Sequence, residues 1–128
     1  MKVIFVGMHN KPNTPPLSSS TRSGSLIDSI IRKIPSLETL KTNMWDVEEF
    51  PQVEEKTKLS LGWHDRIKWG KDDVIILLGA EVHKNFVAVE GMRLIKIGHP
   101  SAVRSFEAQD LYVSRAVGFI KSYKPIKI

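Results

Sequence analysis

At 128 residues, with 41% hydrophobic content, the chain has the size and composition of one globular domain. No apolar run approaches the roughly 18 residues that a membrane helix requires. The absence of cysteine excludes disulfide partners, thiolate metal sites, iron–sulfur clusters and cysteine nucleophiles, and it suits a reducing compartment. Nineteen Lys and Arg against fourteen Asp and Glu give a formal charge of +5, which favours a polyanionic partner such as DNA.

The first apolar run, Val3-Ile4-Phe5-Val6, ends at Gly7 and is too short for a signal-peptide core, so it reads as a buried strand and the protein is expected to be cytoplasmic. A polar, proline-rich loop from Met8 to Thr21 follows. Leu26, Ile27, Ile30, Ile31 and Ile34 then form one apolar stripe at helical spacing, with Ser23 or Ser25 as the expected cap and Pro35 as the stop. A weaker strand is expected from Glu38 to Met44, and a second polar stretch from Trp45 to Lys58 precedes a short helix from Leu59 to Trp69.

Val74-Ile75-Ile76-Leu77-Leu78 is a continuous β-branched run ending at Gly79, followed by another helical turn or two. The last strand is Leu94-Ile95-Lys96-Ile97, closed by Gly98 and Pro100. Val103, Phe106, Val113, Val117 and Ile120 trace a final helix that Ser101 is expected to cap. Alternating strands and helices with right-handed crossovers predict a three-layer α/β/α domain around a short four-stranded parallel sheet, order 2-1-3-4.

Ligands of such open sheets bind beyond the carboxyl ends of the strands. The residues placed there are polar: Gly7, Met8, His9 and Asn10 after the first strand, Asn43 at the end of the second, Gly79 to Glu81 after the third, and Gly98, His99 and Ser101 after the fourth. Thr21-Arg22-Ser23-Gly24-Ser25 offers hydroxyls, a guanidinium and helix-start amides that suit either a phosphate or a simple N-cap. No Gly-x-Gly-x-x-Gly, Walker loop or Gly-x-Ser-x-Gly elbow is present, and the four histidines lack metal-ligand spacing. Neither a cofactor nor a metal is expected. His64 and His83 read as packing or surface residues, and Trp45, Trp63 and Trp69 as core.

The order of these elements, Val6-Gly7, then Arg22-Ser23-Gly24-Ser25-Leu26-Ile27-Asp28, Thr42-Asn43, Ile75-Ile76-Leu77-Leu78-Gly79 and His99-Pro100-Ser101, resembles the uracil-DNA glycosylase superfamily, nearest to its thermophile-type branches. The resemblance implies a base pocket shaped by Gly7 and Met8, with His9 or Asn10 handling water. It further implies Asn43 reading the base edge, His99 donating to the departing base, and Arg22, Ser23, Gly24, Ser101 and Arg104 holding DNA phosphates. The chain departs from the family at Met8, where one branch carries an acid, and at Ser19, where a stacking Phe is usual. The expected activity is hydrolysis of the N-glycosidic bond of uracil or another damaged or modified base in DNA. The alternatives are a non-catalytic nucleic-acid or nucleotide-binding protein of the same fold, and a nucleoside hydrolase or deoxyribosyltransferase.

Overall fold

The apolar runs become one all-parallel sheet of four strands in the order β2-β1-β3-β4: β1 (Lys2–His9), β2 (Glu38–Trp45), β3 (Val74–Leu78) and β4 (Arg93–Ile97). The computed structural model describes residues 1–9 and 14–123. The central strands β1 and β3 are apolar without alternation because helices cover both of their faces. On one face, Val3, Phe5, Val74, Ile76 and Ile95 pack against α1 (Arg22–Arg32) and α4 (Phe106–Ser122). On the other, Ile4, Val6, Ile75 and Leu77 meet residues of α2 (Val53–Arg66) and α3 (Ala80–Asn85). No helix among the described residues is long and apolar enough to cross a membrane.

Two tryptophans anchor the second face. Trp45 and Trp63 are wholly buried, and each indole finds a hydroxyl: Trp45 Nε1 donates to Ser60 Oγ at 2.9 Å, and Trp63 Nε1 to Thr42 Oγ1 at 3.0 Å. The Thr42 hydroxyl in turn donates to the Phe5 carbonyl at 2.8 Å, so both indoles and this hydroxyl have acceptors in the core. Trp69 packs against the same cluster, partly buried.

The helix ends differ from expectation in three places. Thr21, not Ser23 or Ser25, caps α1, its Oγ1 accepting from the Gly24 amide at 3.0 Å. Ser105, not Ser101, caps α4 through the Ala108 amide at 3.1 Å, because Pro100–Ala102 forms a separate 3-10 turn first. Phe106 therefore sits in the solvent-facing first turn, 87% exposed, and the packed stripe of α4 is Val113, Ala116, Val117 and Ile120. The helix predicted from Leu59 to Trp69 begins instead at Val53 and ends at Arg66. Its opening turns are solvated, with only Ser60 and Trp63 buried, while Glu54 and Glu55 in the first turn suit the helix dipole.

Candidate functional site

Because β1 and β2 run parallel in register, Gly7 lies beside Asn43 and His9 beside Trp45. The carboxyl edge of the sheet opens there into a cavity of about 280 Å³. Its walls bring together Gly7, Met8, His9, Ser23, Asn43, His99 and Ser101, seven of the residues singled out from the sequence. The volume lies just below the usual range for small-molecule sites, about 300 to 1,000 Å³, which suits a single heterocycle or nucleoside. Asn10 lies outside the described residues, and Arg22, Gly24 and Arg104 do not line the cavity.

Gly7 is required by its neighbours. A Cβ there would stand 2.9 Å from Asn43 Oδ1 and 3.3 Å from Leu17 Cδ2, so any larger residue would displace the amide. Asn43 is 5% exposed, and its backbone carbonyl accepts from Arg66 Nη2 at 3.0 Å, with the Met44 backbone carbonyl at 3.2 Å from the same atom. An amide presents a donor and an acceptor in one plane, the pattern needed to read the edge of a base.

His99 is fixed by its own turn. Its Nδ1 accepts from the Ser101 amide at 3.1 Å and lies 2.7 Å from Ser101 Oγ. A ring nitrogen that accepts from an amide is unprotonated, so the neutral ring carries its proton on Nε2 as a hydrogen-bond donor. Gly79, at φ +90°, lets β3 turn tightly against this residue: a Cβ at Gly79 would lie 3.1 Å from His99 Cβ. The loop is held at both ends. Tyr112 Oη donates to the Gly98 carbonyl at 2.6 Å, and Arg22 Nη2 to the Val103 carbonyl at 3.0 Å. Burial pushes the Tyr112 phenol above its ordinary pKa, which keeps it a donor.

The remaining wall is Thr21, named from the sequence as part of a phosphate seat or N-cap, with Thr14, Pro15, Leu17 and Ser18, which were not singled out as a site. It is a loop tied down from outside. Lys41 Nζ donates to the Leu17 carbonyl at 2.8 Å and pairs with Asp28 at 2.6 Å. The Thr21 amide and hydroxyl both donate to the Ser18 carbonyl, at 2.9 and 2.7 Å. Burial alone would raise the Asp28 pKa, but hydrogen bonds from Lys41 and Ser19, with the Lys41 and Arg32 charges, outweigh it and hold the carboxyl below its usual value. Gly24 serves this loop directly. A Cβ on it would fall 1.9 Å from the Ser18 carbonyl oxygen and 2.2 Å from that of Leu17, and its amide is already given to the Thr21 cap. Arg22 gives one guanidinium nitrogen, Nη2, to the Val103 carbonyl.

No protein-family model matches the sequence, and no curated protein matches it either. Chemistry must therefore be read from the side chains. His64 Nε2 lies 2.7 Å from the Val87 carbonyl and His83 Nε2 2.9 Å from that of Leu77, both as packing residues. Among the described residues no group of three His, Cys, Asp or Glu is placed to hold a metal. His9 and His99 are the two histidines at the cavity. The His9 ring meets Phe50 edge-on at 6.5 Å, which ties the first strand's end to the loop after β2.

Proposed function

We propose that this chain is a DNA glycosylase-like hydrolase that breaks the N-glycosidic bond of uracil or another modified base extruded from the duplex. The observation that carries this reading is the meeting of Asn43 and His99 across one heterocycle-sized cavity, with the Nε2–H tautomer of His99 set by the Ser101 amide. Cleavage of the bond leaves its electron pair on the base. A preorganised donor to the base oxygen stabilises that charge, and removing one such donor typically slows a reaction about 10² to 10³-fold. Asn43 then reads the base edge, while Met8, Pro15 and Leu17 supply apolar walls that exclude bulk water. His9 lines the same cavity, and an imidazole there can orient the attacking water. Ser23 and Ser101 line the cavity, and their hydroxyls suit the phosphates flanking an extruded nucleotide, with Arg104 adding positive charge three residues beyond Ser101.

The test is incubation with end-labelled oligonucleotides carrying uracil, hypoxanthine, a thymine mismatch or 5-hydroxymethyluracil, followed by alkaline cleavage of abasic sites. Strand breaks at one of these positions support the reading; intact strands at all of them, with protein in excess, overturn it for those bases. Met8, an apolar side chain packed against the β1–α2 core where an acid would activate water, favours the second reading, a non-catalytic nucleic-acid binder. In that case the same oligonucleotides bind and stay intact.

A further inference from the structure

Asn43 is offered to the cavity from an edge strand. β2 ends the sheet with β1 on its inner side, so a β2 carbonyl turned away from β1 has no ladder partner. A peptide left unanchored near a strand end can rotate, and the side chain it carries moves with it.

One turn of α2 supplies the anchor. Trp63 and Arg66 stand three residues apart on that helix, a spacing that puts both on one face. Trp63 Nε1 donates to Thr42 Oγ1 at 3.0 Å in the core, and Arg66 Nη2 donates to the Asn43 and Met44 backbone carbonyls at 3.0 and 3.2 Å at the open edge. The Ile67 amide closes this turn on the Trp63 carbonyl at 2.9 Å, so the arginine stands on ordered backbone. Consecutive residues of β2 are thus gripped from one helix turn, with Asn43 in the middle.

The anchor and the amide lie on opposite sides of the strand. Thr42 meets Trp63 of α2, whereas Lys41 reaches Asp28 of α1, and alternation puts the Asn43 side chain on the Lys41 side. Arg66 does not line the base cavity; it lines a neighbouring concavity at the β2 edge that shares Asn43. On the cavity side the amide has little spare room, since Asn43 Oδ1 would stand 2.9 Å from a Cβ at Gly7. A small rotation of the Asn43 peptide therefore carries the amide away from its place beside Gly7.

We infer that Arg66 is a positioning residue for the Asn43 amide: by fixing the peptide from which that side chain projects, it sharpens the choice of base. The base rests on the glycosylase reading; the anchoring of the amide does not. Arg66 is itself exposed, so its hydrogen bonds contribute little to overall stability, and their effect falls on the residue they touch. Contacts remote from the reacting atoms act in this way when they hold a recognising group in register.

Arg66→Met keeps the aliphatic stem and removes every donor. Because one nitrogen makes both contacts, the ammonium of Arg66→Lys can stand in for it. In nuclear magnetic resonance spectra of the isotope-labelled full chain, the Asn43 side-chain amide pair is identified by its loss in Asn43→Asp. It should shift or broaden in Arg66→Met and return towards wild type in Arg66→Lys, while backbone signals of α1 and α4 stay in place. On the end-labelled oligonucleotides, selectivity between the best and next-best base should narrow at least about tenfold in Arg66→Met and recover in Arg66→Lys. An Asn43 signal indifferent to Arg66→Met, or unrestored by Arg66→Lys, overturns the assignment, and so does unchanged selectivity in a protein that releases base. Signal changes throughout the chain with a large drop in melting temperature assign Arg66 to the fold and overturn it too. A wild type that releases no base, with the Asn43 signal still governed by Arg66, sinks the glycosylase reading and leaves the anchor standing.

Discussion

Replacing Gly24 by alanine puts a methyl group 1.9 Å from the Ser18 carbonyl oxygen and 2.2 Å from that of Leu17, where contacts under 3.0 Å are essentially never seen. The obstacle is backbone, not the tip of a flexible side chain, so the loop must retreat by about 1 Å. That retreat strains the Thr21 cap, whose loss costs about 1 kcal/mol, and adds an overpacking cost of about 1 to 3 kcal/mol. A total near 2 to 4 kcal/mol lowers the melting temperature by roughly 8 to 16 °C, at about 4 °C per kcal/mol for a chain of this length. Gly62, inside α2, is the matched control because a Cβ there meets nothing within 4 Å. Gly62→Ala should stabilise by about 0.5 to 1 kcal/mol through better helix propensity. Calorimetric or circular-dichroism melts of the two variants therefore shift in opposite directions. A Gly24→Ala protein as stable as wild type would refute the close approach of loop and helix on which the cavity wall depends.

His99→Ala should slow single-turnover base release roughly 10² to 10³-fold while leaving the melt and most duplex affinity unchanged; equal loss of affinity on every sequence, with an unaltered rate at saturation, would instead assign His99 to phosphate. If cations such as Arg104 contact the duplex, log affinity should fall with log salt at about −0.9 per phosphate neutralised, and a flat response would point to a small-molecule ligand. The depressed Asp28 pKa makes a signed claim: its carboxylate contributes stability that is present above the unfolded pKa, near the ordinary 3.8, and is lost as pH falls through the lower folded value. Urea titrations from pH 7 to pH 2 should thus show a shallower acid loss in Asp28→Asn than in wild type, and parallel curves would deny the pairing with Lys41.

The sheet was legible because its signals are local and physical. Val3 to Val6 and Val74 to Leu78 are buried on both faces and so read as unbroken apolar runs, and right-handed crossovers leave few orders for four parallel strands. The residues just past those runs converge on one cavity for the same reason. What was hidden depends on distant partners or on solvated surface. The start of α2 shows no apolar stripe since its first turns face water. The wall formed by Thr14 to Thr21 exists only because Lys41 reaches back to Leu17 and Gly24 yields space to Ser18, contacts that no periodicity encodes. The contact of Arg22 Nη2 with the Val103 carbonyl, 81 residues away, is likewise invisible to local pattern.

Lys41 and Asn43 are alternate residues of β2, so they share one face of the sheet: one tethers the cavity wall and the other supplies the amide within it. This strand lies at the sheet's edge, and its first half is half exposed. Slippage of β2 by a single residue would turn both side chains to the opposite face at once, losing reader and wall together. The Thr42 hydroxyl on the Phe5 carbonyl and the burial of Met44 and Trp45 work against that slip. Alignment of one marginal strand thus acts as an all-or-none check on whether the cavity exists, and a chain misthreaded there would present a smooth edge instead of a faulty site.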